Sequence, residues 1–199
     1  MNGVDKATLP LEGHPIIERQ VRALRAITDS ILVVGGDPER FARLGLRAVP
    51  DVIHGCGALG GIYSALVAAD RPRTLIVACD MPFLSVRLLQ HLVQAGSADV
   101  DVVMPRTHDR FQPLCAVYAG RCAETIRLRI ESGLLEATAL AHCLRVEEIG
   151  PETLATYDPD GLMFVNVNTP HDYARAKDLV DRMRGSRAAM GNRITDATS

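Results

Sequence analysis

A β-branched run, TLIVAC at 74–79, passes directly into Asp80-Met81-Pro82. An acid at the end of a buried strand is a carboxylate on rigid backbone, facing the crevice where α/β sheets bind ligands. Pro82 fixes φ and ends the extended run. Hard cations such as Mg²⁺ take oxygen ligands, commonly one or two carboxylates plus substrate phosphates, so Asp80 is the expected metal ligand. Capping the next helix is the weaker reading, because Pro82 and Ser85 already serve that helix. A second pattern is NVNTP at 166–170. Asn166 and Asn168, one residue apart on an extended segment, point their amides to the same side. An amide offers an acceptor to a metal and a donor to a phosphate or a base edge. Alternatively, Asn168 only caps a helix starting at Pro170, a task Thr169 can equally perform.

Three weaker signals lie upstream. GCGALGG at 55–61 opens a helix, and Gly57 sits where exposed backbone N–H groups favour anions. No Lys follows it as in a Walker A loop, and it does not stand directly after a first strand as G-x-G-x-x-G does. A turn with close helix packing accounts for it as well. Asp51 precedes this stretch at a strand end; it suits guanine N1 and N2 as an acceptor, or is a solvated loop acid. Lys6 carries a point charge suited to phosphates, and on composition alone reads as a surface Lys. The six histidines (14, 54, 91, 108, 142, 171) lack metal-ligand spacing and no G-x-S-x-G elbow is present, which disfavours a nucleophilic-triad hydrolase.

The elements that must position these residues alternate. Helical periodicity covers Ile16, Ile17, Val21, Leu24 and Ile27, followed by a strand at 30–34 that stops at Gly35-Gly36. A short helix opens at Pro38, a strand spans 46–49, and a helix spans 59–69. After the 74–79 strand comes a helix over 85–95 with Ser85 as N-cap. Strands at 101–104 and 114–118 precede a helical stretch, 121–143, broken near Ser132-Gly133. Strands at 144–149 and 163–167 and a helix from Pro170 to about 182 complete the pattern. This rhythm predicts an α/β, Rossmann-like, mostly parallel sheet with helices on both faces. Residues 1–183 read as one domain and 184–199, polar and aperiodic, as a disordered tail.

Composition agrees. Of 199 residues 47% are hydrophobic and only 4% aromatic, so the core is built from aliphatic side chains, as in sheets sandwiched by helices. A net charge of −2 argues against nucleic acid or an anionic membrane as main partner. No apolar run is long enough for a spanning helix, and no signal peptide is evident at the start. Five cysteines without a C-x-x-C pair read as reduced and mostly buried in a reducing cytoplasm.

VDKATLPLEGHPIIE, VPDVIHGCGALGGIYSAL, LIVACDMPFLS, QPLCAVY and FVNVNTPHDYARA occur in that order. Together they resemble molybdenum cofactor guanylyltransferases, nucleotidyltransferases of the nucleotide-diphospho-sugar transferase type, over about 5–176. CDMP with NVNTP favours the guanylyl branch. The resemblance implies a cytoplasmic enzyme transferring GMP from GTP to the terminal phosphate of molybdenum–molybdopterin, with Mg²⁺, releasing pyrophosphate. Molybdenum cofactor insertion proteins or apo-molybdoenzymes are the implied recipients. It also implies that Lys6 contacts the nucleotide phosphates, Asp51 recognises guanine, Asp80 holds Mg²⁺, and Asn168 with Asn166 completes the metal or cofactor-phosphate site.

This sequence departs from the family in several places. Members begin with a strand and a loop of the form L-A-G-G-x-S-x-R-M-G, of which Met1-Asn2-Gly3 matches only the end. The first, central strand is thus expected to be missing, through a late start or in a degenerate relative; the cost of unpaired neighbouring strands favours the former. Ala58 stands where Pro is frequent, Leu134-Leu135 where a basic pair is frequent, and Val34-Gly35-Gly36 where an Asn-containing turn is frequent. The alternatives are a cytidylyltransferase of the same cofactor, a phospho-lactate or sugar-phosphate nucleotidyltransferase, or a non-catalytic nucleotide-binding relic.

Overall fold

The computed structural model describes residues 8–108 and 110–195, with side chains to residue 183. Two short antiparallel strands, β1 (Pro10–Leu11) and β2 (His14–Pro15), lead into helix α1 (Ile16–Arg25). Strand β3 (Leu32–Val34), helix α2 (Pro38–Arg43) and strand β4 (Arg47–Val49) follow, β3 and β4 pairing in parallel. Asp37 starts α2 by accepting the Glu39 N–H at 3.0 Å, with Pro38 at the first helical position, where its missing N–H costs nothing. Helix α3 (Gly57–Ala69) connects to the main sheet: β5 (Arg73–Val77), α4 (Val86–Gln94), β6 (Val102–Thr107), β7 (Arg110–Phe111), β8 (Cys115–Ala119), α5 (Cys122–Glu131) and β9 (Val146–Ile149). A 3₁₀ turn, Ala137–His142, lies between α5 and β9, and helices α6 (Pro151–Tyr157) and α7 (Pro170–Thr195) close the chain.

The sheet order is β5-β8-β6-β9, with β7 hairpinned on the end of β6. β8 runs antiparallel to both β5 and β6, and β9 runs parallel to β6. The main sheet is therefore mixed, which refines the mostly parallel expectation: β5, β6 and β9 share a direction and β8 opposes them. Side chains alternate between two cores, as the pleat requires. Val102, Met104, Ala116 and Tyr118 pack with Leu59, Ile62 and Ile126 on the α3–α5 side. Val103, Cys115 and Val117 pack with Leu88, Leu89, Leu92 and Leu154 on the α4–α6 side. Burial pushes the Cys115 thiol up to about 12, leaving it inert.

α3 spans the two sheets, since Val34 of β3 and Ile76 of β5 pack in the same cluster as Leu59 and Ile62. Among the described residues β3 pairs only with β4, and β5 only with β8.

Three expectations change. Residues 163–167 are not a strand although Met163 and Val167 are fully buried. Their N–H groups pair elsewhere: Met163 with the Asp158 carboxylate, Val165 with the Leu162 carbonyl and Val167 with the Asp80 carbonyl. α7 continues to Thr195 rather than ending near Arg182, in a stretch rich in the helix formers Arg, Ala and Met. Only Cys115 and Cys122 are buried; Cys79 and Cys143 are exposed and Cys56 is intermediate. No helix among the described residues is long and apolar enough to cross a membrane.

Candidate active site

The β5 ladder ends at Val77; the Ala78 N–H still donates to the Leu114 carbonyl at 2.8 Å, and Cys79-Asp80 then form a turn. Asp80 is half-buried, with Oδ1 shielded from solvent. Its carbonyl accepts the Val167 N–H at 2.9 Å. That bond joins two motifs 87 residues apart in sequence (167 minus 80) and places Asn166 and Asn168 beside the end of β5. Val167 is buried while both asparagines are exposed, the alternation expected of an extended segment with its amides to one side.

Thr169, not Asn168, provides the cap of α7. Its hydroxyl accepts the Asp172 N–H at 3.1 Å, and Asp172 answers with its carboxylate. Asp172 Oδ2 accepts from the Asn168 N–H (3.1 Å), the Thr169 N–H (2.8 Å) and the Thr169 hydroxyl (2.9 Å). This is a reciprocal capping box. The Thr169 hydroxyl and backbone, then the Asn168 N–H, hold the Asp172 carboxyl below its ordinary range. The backbone of Asn168 is fixed from both sides as a result.

Asp51 follows β4 at the carboxyl ends of the parallel β3–β4 pair, where the Gly35 N–H extends the pairing by donating to the Val49 carbonyl at 2.8 Å. A Cβ on Gly35 would sit 3.6 Å from Asp51 Oδ2, and Gly35 has φ +76°, so glycine leaves open space beside this carboxylate. Behind Asp51, the Val52 N–H donates to the buried Ser64 hydroxyl at 2.9 Å, and that hydroxyl donates to the Gly60 carbonyl at 2.8 Å. Gly57 opens α3 at φ +55°, with no side-chain cap on that helix start. Asp80, Asn166 and Asn168 thus form one group and Asp51 with Gly35 another, and α3, which Gly57 opens, packs against both β3 and β5. Lys6 lies outside the described residues.

Several participants carry no obvious signature in sequence. A cavity of about 580 Å³ opens at the carboxyl ends of β6 and β9, bounded by Thr107, Gln112, Asp158, Asn166, Asp172 and Arg175. Asp158 shapes its wall by accepting the Leu162 and Met163 N–H groups at 3.2 and 2.9 Å. Gln20 of α1 reaches under the Asp80 turn, and its only outward sign is a polar residue among Ile16, Ile17 and Val21 on a buried helix face. Among the described residues no three His, Cys, Asp or Glu side chains converge as a metal cage. One strand-end carboxylate beside an amide-bearing segment is the donor set that suits Mg²⁺ when water and substrate phosphates complete its shell.

A mixed sheet with helices on both faces and polar residues gathered at the strand ends is the architecture of nucleotidyltransferases with a Rossmann-like fold. The chain belongs to the family of the MobA-like NTP transferase domain, whose model matches residues 1–146. A protein of Pelotomaculum thermopropionicum named "Probable molybdenum cofactor guanylyltransferase" is 34% identical over 185 residues, 93% of this chain and 90% of that one. The molybdenum cofactor guanylyltransferase of Desulfosudis oleivorans is 32% identical over 180 residues, 89% of this chain and 88% of that one. The crystal structure of molybdopterin-guanine dinucleotide biosynthesis protein A from Archaeoglobus fulgidus superposes with a TM-score of 0.77 at 27% identity, covering 90% of this chain and 92% of that chain.

Proposed function

We propose that this nucleotidyltransferase transfers GMP from GTP to the terminal phosphate of molybdenum–molybdopterin, releasing pyrophosphate. The observation that supports the reading is the 2.9 Å bond from the Val167 N–H to the Asp80 carbonyl, which joins the strand-end turn to the segment whose Asn166 lines the cavity. A phosphate monoester has its second pKa near ~6, so the acceptor is already largely dianionic at neutral pH and needs no Ser–His base. An acceptor oxygen attacks the α-phosphorus, the bond to the β-phosphate breaks, and pyrophosphate leaves. Mg²⁺, when bound, neutralises charge developing on that leaving group.

In this reading Asp80 and Asn168 hold the metal, and Asn166 turns its amide toward the acceptor phosphate. Asp51 accepts from guanine N1 and N2, beside the space left by Gly35. Gly57 and the uncapped start of α3 offer N–H groups to the nucleotide phosphates, and Lys6 adds a cation to them. The 580 Å³ cavity takes the acceptor. Arg175 on its rim is the guanidinium for an anionic group, while the Asp158 and Asp172 carboxylates are engaged by backbone N–H groups. Residues 1–183 act as one catalytic domain in the cytoplasm, with apo-molybdoenzymes or insertion proteins receiving the product.

Asp80→Ala is the test. Removing a metal ligand used in the transition state should lower kcat by ~10²-fold or more, the scale of losing one electrostatic stabiliser. Pyrophosphate release under saturating GTP and acceptor measures it, and near-parental activity with unchanged Mg²⁺ dependence overturns the assignment.

A further inference from the structure

Gln20 lies on the face of α1 that buries Ile16, Ile17 and Val21, and it is itself only 3% exposed. An apolar side chain would satisfy such a face without desolvating an amide. The amide here has a specific task. Nε2 donates to the Ala78 carbonyl at 2.7 Å and to the Met81 carbonyl at 2.8 Å. Those two carbonyls flank Cys79-Asp80, so one side chain grips both ends of the turn that presents the Asp80 carboxylate. The Asp80 carbonyl is held in turn by the Val167 N–H. Gln20 and Val167 thus fix the turn from two separate elements, α1 and the 166–168 segment.

We infer that Gln20 is a positioning residue for the divalent cation: its double donation sets the Asp80 turn in the geometry that ligates metal. The inference rests on the reading of Asp80 as the metal ligand. A primary amide is the side chain that fits, because both of its N–H groups are used at once and it brings no charge to two buried carbonyls. Side chains that orient metal ligands through hydrogen bonds cost about 10–100-fold in metal affinity when removed.

The test is Mn²⁺ binding to the full chain with GTP present, followed by electron paramagnetic resonance, for the parent, Gln20→Met, Gln20→Glu and Asp80→Ala. Gln20→Met keeps the length and removes both donors; its Mn²⁺ dissociation constant should rise by roughly tenfold or more. Metal-free GTP binding, measured in EDTA, should stay within about twofold of parent, a separation that general loosening of the fold would not give. Gln20→Glu keeps the length but, when ionised, offers no donor and sets a carboxylate against two carbonyls; its Mn²⁺ dissociation constant should rise at least as far as that of Gln20→Met, and it decides the matter if the Met variant does not fold. Unchanged Mn²⁺ affinity in the folded Gln20 variants, with affinity lost in Asp80→Ala, overturns the inference and leaves the Asp80 reading standing. Unchanged affinity in Asp80→Ala overturns that reading itself.

Discussion

Ser64→Ala removes one oxygen from the buried side of α3, and its effect can be followed bond by bond. The hydroxyl accepts the Val52 N–H at 2.9 Å and donates to the Gly60 carbonyl at 2.8 Å. Loss of the second bond costs little, because an i−4 back-bond of this kind slightly disfavours a helix. Loss of the first leaves the Val52 N–H without its acceptor. That peptide is partly reachable by water, so the penalty falls at the low end of the range for an orphaned donor, about 1 kcal/mol. In a protein of this size that shifts Tm down by ~2–4 °C. Val52 is bonded to Asp51, so a freed peptide lets the carboxylate drift from its place beside Gly35. If the whole ~1 kcal/mol appears in nucleotide binding, the KM for GTP rises about fivefold, since 1.36 kcal/mol is tenfold; kcat stays near parental. Thermal unfolding and steady-state kinetics on the same preparation read both quantities. A lower Tm with a KM for GTP within about twofold of parent would refute the link between this bond and the nucleotide, and an unchanged Tm would refute the orphaned-donor reasoning.

Further perturbations separate the parts of the account. Asp51→Asn should weaken GTP binding and relax discrimination against ATP and CTP, because the base contact is lost; competition binding measures it, and unweakened GTP binding makes Asp51 a loop acid. Arg175→Ala should raise the KM for the acceptor and leave the KM for GTP near parental, which two-substrate kinetics resolves. Asp101, at the far end of β6, accepts from the Arg145 side chain and backbone N–H and from Arg121, and Arg145 foremost holds its carboxyl well below the ordinary 3.8. A carboxyl depressed in the folded state stabilises above its unfolded pKa, and that contribution fades as pH falls through the folded value. Asp101→Asn should therefore lower Tm at neutral pH and make stability less steep in pH below about 4, as unfolding along an acid series would record.

Much of the scaffold is legible in sequence because its signals are local. TLIVAC followed by Asp80-Met81-Pro82 marks both a strand and its end, and Ser85 caps α4 by accepting the Leu88 N–H at 3.3 Å. The 163–167 segment misleads because an apolar run encodes burial and not pairing; its N–H groups go to Asp158, to a neighbouring carbonyl and to Asp80. The reversed direction of β8 depends on the short β7 hairpin, whose two residues are too few to carry periodicity. α6 escapes because Leu154 is its one buried residue, leaving no apolar stripe to detect. At the site, Asp80, Asn166 and Asn168 stand out by residue type and spacing. Gln20 and Asp158 do not, since each acts on backbone groups brought near only by folding, and a lone Gln or Asp has no pattern. Asp172 was readable in principle from Thr169-x-x-Asp172, a capping box with Asp in the position more often held by Glu.

The central claim is tested most directly by supplying the protein with molybdenum–molybdopterin, Mg²⁺ and α-phosphate-labelled GTP, and in parallel with labelled CTP, and measuring label in dinucleotide cofactor against pyrophosphate released. The account predicts one labelled guanine dinucleotide per pyrophosphate, GTP binding at least about tenfold tighter than CTP, a gap of ~1.4 kcal/mol, and loss of both products in Asp80→Ala. Label passing from CTP as readily as from GTP, or dinucleotide formation undiminished in Asp80→Ala, would contradict it.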